Sequence, residues 1–257
     1  MPAFSATPFA TLATVGHEEH SQGRFTSLVE QEEEFYRWQE EKTRLIVRLL
    51  STLAPSGALA DVGCFTGAAT ARYMATGFSR AVGFDANQLA LAKLPARNLE
   101  PRVWKAGYEA CPAQDNEFSA VVAADIIEHI LDTDWFLREL SRVSQPGGHI
   151  IITTPNLLFW LSRIRVLVGK LPWSYAGVSP SVRGETMVDL NHIRISSPAE
   201  WSNLFESNLL RVEKIQGWSI FPAIGGNLLR RSIDRVLTRD HRLAFGLLFL
   251  LRNQKSS

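Results

Sequence analysis

The sequence predicts an α/β fold built on a mostly parallel sheet, and three observations predict it. Short apolar runs at 58–62, 80–84, 102–106, 118–124 and 149–154 alternate with helix-length segments. Strand and helix alternating in this way imply a sheet covered on both faces. The first run ends in "DVGCFTG", an acidic residue followed by a glycine turn and a helix start. Finally, 257 residues with 46% apolar and 21% charged side chains suffice for one large α/β domain with a real core.

The elements follow in order. Residues 1–25 read as irregular. "FTSLVEQEEEFYRWQEEKTRLIVRLLSTL", 25–53, is predicted helical, acidic first and basic later as the helix dipole prefers, and Pro55 and Gly57 stop it. Residues 1–55 are thus an N-terminal arm and helical cap. The alternating core runs over 56–156 and closes with "QPGGHIIITTPN", a turn, a buried strand and a Pro-Asn stop. Residues 157–200 break the rhythm as an insertion, with an apolar-basic segment and a Gly/Ser/Pro-rich loop. Residues 201–257 complete the sheet. "PAEWSNLF" begins a helix, and "LLRVEKIQGW" and "LFLLRNQK" read as strands.

Composition excludes several classes. Lys plus Arg number 27 against 26 Asp plus Glu, a formal net charge of +1, so no global field points to nucleic acid or an anionic surface. Cys64 and Cys111 are the two cysteines, too few for a disulfide scaffold, and a reducing, cytoplasmic setting is expected. The opening "MPAFSATPFATLATVGHEEH" lacks a basic n-region and a long apolar h-region, so no signal peptide is expected. The run "LAFGLLFLL", 243–251, is too short to cross a bilayer.

Open parallel sheets bind ligands at the carboxyl ends of their strands, which puts the first loop foremost. Gly63 and Gly67 permit tight turning, and Asp85 ends the second strand where a carboxylate accepts both hydroxyls of a ribose. A dinucleotide loop needs Gly-x-Gly-x-x-Gly, and Gly63-Cys-Phe-Thr-Gly67 does not fit it. Asp61, just before the glycines, repels a phosphate and attracts an ammonium or sulfonium. The charges favour S-adenosylmethionine over NAD, and NAD-dependent oxidoreduction is poorly supported.

"DVGCFTG", "GFDAN", "FSAVVAADIIEHI", "LRELSRVSQPGGHIIITTPN" and "DLNHIRISSPAEW" together resemble class I S-adenosylmethionine-dependent methyltransferases, over roughly residues 30–218. The nearest branch includes the ubiquinone-biosynthesis O-methyltransferases. The resemblance implies a Rossmann-like class I methyltransferase fold, a seven-stranded mostly parallel sheet with an N-terminal helical cap and a lid insertion. It implies a cofactor site of Asp61, Gly63, Cys64, Phe65, Gly67, Asp85, Ala86, Tyr108, Glu109 and Ala124. Phe65 departs from the family by replacing the middle glycine, so that either the loop stands slightly farther from the cofactor or the ring packs inward under the loop. Tyr108 stands where the family often has an acid that meets adenine, a role Glu109 can take. Ser119 replaces a common Asp.

"ADIIEHI" places Asp125, Glu128 and His129 just past the fourth strand, and His192 lies in "NHIRISS". Two carboxylates and imidazoles are the ingredients of a divalent-metal site. The resemblance extends to quinone and small-RNA 3′-end methyltransferases that use an acid-x-x-Glu-His motif and a later His. It implies Asp125, Glu128, His129 and His192 as ligands for Mn, Fe, Zn or Mg. Without a metal, His129 or His192 is the candidate general base, and His129, His192 and Asp125 are the candidate catalytic residues. His17 and His20 read as solvated.

In the insertion, Phe159, Trp160, Trp173 and Tyr175 suit an apolar or aromatic acceptor, and Arg163, Arg165 and Lys170 an anionic group. The alternative is an amphipathic helix packed on the sheet. Tyr36 and Trp38 either close the cofactor site or sit in the core. The basic amphipathic stretch 228–242, with Arg230, Arg231, Arg235, Arg239 and Arg242, either touches a membrane surface or covers the sheet. The expected activity is O-methylation of a small-molecule hydroxyl, phenolic, quinone-precursor, sugar or natural product. The alternatives are an RNA 3′-end 2′-O-methyltransferase and a cofactor-binding protein without catalysis.

Overall fold

The computed structural model describes residues 32–53, 56–172, 192–219 and 228–256. Helix α1 (Glu32–Thr52) leads into β1 (Ala58–Val62), α2 (Ala68–Met74), β2 (Arg80–Asp85), α3 (Gln88–Leu91) and β3 (Glu100–Val103). The chain continues through β4 (Phe118–Ala124), α4 (Thr133–Val143), β5 (Ser144–Pro155) and α5 (Trp160–Leu167). It ends with α6 (Pro198–Ser207), β6 (Leu210–Trp218), α7 (Leu228–Leu237) and β7 (Gly246–Asn253). The strands make one seven-stranded sheet in the order β3-β2-β1-β4-β5-β7-β6. All neighbours are parallel except β7, which runs antiparallel to both β5 and β6.

Period-2 alternation divides the central strands between two cores. Ala58, Ala60 and Val62 of β1, Ile150 and Ile152 of β5, and Leu247, Phe249 and Leu251 of β7 pack on one face with Phe136, Leu137 and Leu140 of α4. Leu59, Ile151, Leu248 and Leu250 pack on the other with Ile46, Leu49 and Leu50 of α1 and Tyr73 of α2. Each fully buried valine, leucine, isoleucine or phenylalanine among them contributes about 1.5–3 kcal/mol. Because both faces are covered, central strands carry continuous apolar runs, which made them visible in the sequence.

The third strand lies at 100–103, not 102–106. Trp104 ends it: its amide donates to the Asp85 carbonyl at 3.0 Å, and its buried indole donates to the Glu109 carbonyl at 2.8 Å. The fifth strand begins earlier than expected, at Ser144, with a register shift opposite Phe118 and Ala120. In the insertion, α5 packs Trp160 and Leu161 against the buried cluster of Phe159, Trp218 and Phe245, buries Ser162, and leaves Ile164, Val166 and Leu167 exposed. Arg163 and Arg165 donate to the Leu158 and Leu171 carbonyls at 2.8 Å, near the two ends of the helix. In α7, Asp234 is buried while Ile233 and Val236 are exposed. Among the described residues no helix is long and apolar enough to cross a membrane. His17, His20, Trp173 and Tyr175, and the side chains of Trp38, Arg230 and Arg231, lie outside the described residues.

Candidate active site

The loop after β1 is a backbone cradle. The amides of Gly63 and Cys64 both donate to the Phe84 carbonyl, at 2.8 and 3.1 Å, and Gly67 donates to the Cys64 carbonyl at 2.9 Å. Gly63 and Gly67 hold φ of 74° and 79°. A Cβ at Gly63 would stand 2.1 Å from Ile126 Cδ1, so glycine is required there by both conformation and space. Phe65 also has a positive φ, 51°. The left-handed region costs a non-glycine residue about 1–2 kcal/mol. Here the ring's burial offsets it: Phe65 is 7% exposed, with its ring centroid 6.3 Å from that of Tyr36. The family's glycine is thus replaced by a residue that keeps the glycine-like backbone and uses its ring to meet α1.

Two carboxylates flank this cradle. Asp85 Oδ2 accepts from the Phe65 amide at 2.9 Å and Oδ1 from the Asn87 amide at 2.8 Å. Both oxygens are oriented by backbone, with further lone pairs left for a ligand. Burial raises its pKa against these donors. Asp61 is buried and accepts from the Thr70 hydroxyl at 2.5 Å. Burial first, and the Asp85 charge last, push its acid up to about 7, against the Thr70 hydrogen bond and the nearby Lys42. The donor set fits a ligand with a cationic end and a pair of hydroxyls.

Helix α1 is strapped across this loop. The Tyr36 hydroxyl lies 3.3 Å from Thr66 Oγ1, Glu40 pairs with Arg72 at 2.7 Å, and Lys42 Nζ donates to Asp125 Oδ2 at 2.5 Å. Tyr36 therefore adjoins the loop. Lys42 was not singled out from the sequence. Its signal was there: it shares a helical face with Ile46, Leu49 and Leu50, and a lysine on an apolar stripe needs an internal partner.

Past β4, three of the four expected metal-site residues come together. Glu128, His129 and His192 each offer a ligand atom within 4.8 Å of the others. The two imidazole centroids are 4.9 Å apart, and His192 Nε2 is 3.9 Å from Glu128 Oε1. The segment carrying His192 hangs on Glu128 itself, whose carbonyl accepts from the Ile193 and Arg194 amides at 3.0 Å. Asp125 lies outside this group. Its Oδ1 accepts from Thr153 at 2.6 Å and its Oδ2 from Lys42, and its backbone takes φ 56° to reach them. Burial pushes the Asp125 acid up, but Lys42 and Thr153 pull it below its ordinary range. Glu128 is the reverse. It is fully buried, and no hydrogen bond of good geometry reaches either carboxylate oxygen. Burial, then the Asp125 charge, push its acid well above the usual carboxylate range, and the Thr154 hydroxyl opposes them weakly.

The remaining expected residues divide. Cys64 is buried in the loop, Ala124 pairs with Thr153 at the strand end, and Ala86 follows Asp85 on the exposed rim. Tyr108 is 71% exposed. The Glu109 carboxylate accepts from the Lys105 amide at 2.9 Å, which shapes the turn after β3. Neither is drawn toward Asp85 by a contact in this structure. Ser119 donates to the Ser56 and Ala58 carbonyls at the start of the sheet, far along the strand from the site.

An open, doubly wound sheet thus carries a glycine loop after β1, a carboxylate ending β2 and an acid-histidine cluster after β4. Residues 60–152 match the family described as methyltransferase domain. Here the chain is similar in sequence to S-adenosylmethionine-dependent methyltransferases, and it shares the Rossmann-like fold of that class. It is similar to the mitochondrial ubiquinone biosynthesis O-methyltransferase of Dictyostelium discoideum, 31% identical over 42% of this chain and 38% of the relative. It is also similar to the chloroplastic tocopherol O-methyltransferase of Arabidopsis thaliana, 36% identical over 37% of this chain and 29% of the relative. The chain thus spans less than half the length of these curated relatives. Among solved structures, a SAM-dependent methyltransferase of Thermotoga maritima shares the fold with TM-score 0.59 and 15% identity, over 90% of this chain and 98% of that one. The [4+2]-cyclase SpnF shares it too, with TM-score 0.56 and 17% identity over 85% and 84%. The fold alone therefore does not fix the chemistry.

Proposed function

We propose that the protein transfers the methyl group of S-adenosylmethionine to a hydroxyl oxygen of a small-molecule acceptor, with a divalent ion held by Glu128, His129 and His192. The observation that carries the acceptor side of this reading is the orphaned Glu128 carboxylate, buried beside two imidazoles at the strand end next to the cofactor loop. A buried carboxylate without a hydrogen bond is costly, and a cation among neighbouring imidazoles removes that cost. The residues fit both groups. Asp61 and Asp85 suit a zwitterionic, ribose-bearing cofactor. One carboxylate and two imidazoles suit Mn²⁺, Fe²⁺ or Zn²⁺ better than Mg²⁺, which prefers oxygen. The O-methyltransferase names of the sequence relatives support oxygen as the acceptor atom.

When bound, S-adenosylmethionine supplies an electrophilic methyl on a sulfonium, and the ion supplies charge that lowers the pKa of an acceptor hydroxyl. The chain's own work is positioning. Asp85 orients the ribose, and its two backbone donors fix the carboxylate in place. Asp61 holds the ammonium of the methionine end. Ile126 packs on Gly63 and excludes water beneath the loop. His129 and His192 bring nitrogen donors to the acceptor side, where either can also take the hydroxyl proton.

Calorimetry tests the reading in two arms. S-adenosylhomocysteine should bind at micromolar affinity, about −7 to −8 kcal/mol, in preference to NAD. Metal-free protein should bind Mn²⁺ or Zn²⁺, and Glu128→Gln should abolish that binding while sparing the cofactor. With catechol-type acceptors, chelation should stop methyl transfer and leave S-adenosylhomocysteine binding intact. Preference for NAD would sink the cofactor assignment. Full turnover by metal-free protein in excess chelator would sink the metal.

A further inference from the structure

We propose that α5 and α7 together form a face that docks the protein on the surface of an anionic lipid bilayer. The proposal goes beyond the methyl-transfer reading and does not rest on it.

In α5, Ile164, Leu167 and Val168 follow the i, i+3, i+4 spacing that ordinarily turns an apolar stripe toward a core. Here the stripe faces outward, with exposures of 48%, 85% and 64%. Val166 and Leu171 beside it are exposed as well. The inward side of the helix is already filled by Trp160, Leu161 and the buried Ser162. Helix α7 repeats the arrangement. Asp234 is buried, while Ile233 and Val236, three residues apart, are 41% and 60% exposed. The two helices are tied together: the Trp160 indole donates to Asp234 Oδ1 at 3.0 Å, and Arg163 donates to the Arg242 carbonyl at 3.1 Å. Both stand at the end of the sheet that carries the site, because α5 follows β5, and β7 begins where Gly246 pairs with Pro155.

The charge on this face is one-sided. Residues 160–171 and 232–242 carry Arg163, Arg165, Lys170, Arg235, Arg239 and Arg242. Their acids are Asp234, which is buried, and Asp240, which Arg242 holds at 2.7 Å. The whole chain has a formal net charge of +1, so the excess is local to this face. Exposed apolar side chains rimmed by arginines match a bilayer interface: the apolar groups enter the headgroup layer, and the guanidiniums meet lipid phosphates. A second copy of the chain on the same face would set these like charges against one another across a two-fold contact.

Co-sedimentation of the full chain with large unilamellar vesicles tests the face, with phosphatidylcholine alone against phosphatidylcholine mixed with phosphatidylglycerol. The anionic vesicles should bind the protein at least about 10-fold better, and high salt should release it. Leu167→Glu/Val168→Glu should lose about 10-fold or more of that binding, which separates insertion of the apolar stripe from charge attraction alone. Arg235→Gln/Arg239→Gln should weaken it about 10- to 30-fold, or about fivefold per charge. All four side chains are exposed, so Tm should not change in either variant. Equal binding to both vesicle types, binding to neither, or full binding by the Leu167/Val168 variant overturns the proposal. A dimer in analytical ultracentrifugation that the same variant dissolves, without vesicle binding, assigns the face to a second copy and overturns it too.

Discussion

Asp61 shows how a single buried side chain ties binding to pH. Its acid is pushed from the ordinary 3.8 to about 7 by burial. The sign for stability follows from proton counting. Between these values the folded chain holds a proton that the unfolded chain has lost, so Asp61's contribution to stability falls as pH rises from about 4 to about 7. Binding runs the other way, because an ammonium selects the ionised carboxylate. S-adenosylhomocysteine affinity should therefore rise from pH 6 to pH 8, with proton release on binding near pH 6.5. Calorimetry in buffers of different ionisation enthalpy reads that release directly. Asp61→Asn should bind weakly and lose both the slope and the proton release; a retained slope would assign the titration to another group. The aspartate's place before the glycines was readable in the sequence. Its pKa was not, because that depends on what α1, Thr70 and Asp85 bring around it.

At the scale of elements, the segment that carries His192 is held just downstream of that residue. Arg194 donates to the Leu131 carbonyl at 3.1 and 2.6 Å, and its amide joins that of Ile193 on the Glu128 carbonyl. Downstream, Ser197 caps α6 in a capping box with Glu200, which fixes where the extended segment stops. Arg194 is then a positioning residue for His192. Arg194→Ala should weaken Mn²⁺ or Zn²⁺ binding about 10-fold, as losses around a metal's ligands typically do, and leave S-adenosylhomocysteine affinity unchanged. Calorimetry with each ligand on the same preparation checks it, and Arg194→Lys should recover only part of the loss because a lysine cannot reproduce the paired donors. The "NHIRISS" motif put His192 on the list of candidates. That it would stand beside Glu128 rather than beside Asp125 depended on these backbone bonds.

For the whole molecule, the site joins parts that the sheet keeps apart in sequence. The loop belongs to β1, its acid to β2, the cluster to the β4 end, and the strap to α1. A ligand that bridges them should stabilise the fold as a unit. At about 100 times its Kd, S-adenosylhomocysteine should add about 2.7 kcal/mol, a rise in Tm of about 5–10 °C. Thermal unfolding followed by circular dichroism measures this, and no shift at saturation would mean that the bound state is not the folded one described. The same assembly explains which strands are legible in the sequence. Continuous apolar runs marked β1, β4 and β5, because strands covered on both faces leave no choice of residue. β3, at the edge with Glu100 and Val103 exposed, carried no such run and was placed late.

By itself the sequence determined the alternating α/β order, the glycine loop with Asp61 and Asp85 at neighbouring strand ends, and the acid-histidine motif after β4. These are local: they follow from periodicity, turn chemistry and the spacing of a few residue types. Tertiary structure decided which charges meet. Asp125 and Glu128 stand in one short motif with similar chemistry, yet Asp125 is satisfied by Lys42 and Thr153 while Glu128 is left without a hydrogen bond beside His129 and His192. Lys42 is 83 residues from Asp125 in the chain. No pattern within either segment encodes that pairing, because a buried charge is settled by whatever partner the packed layers bring to it.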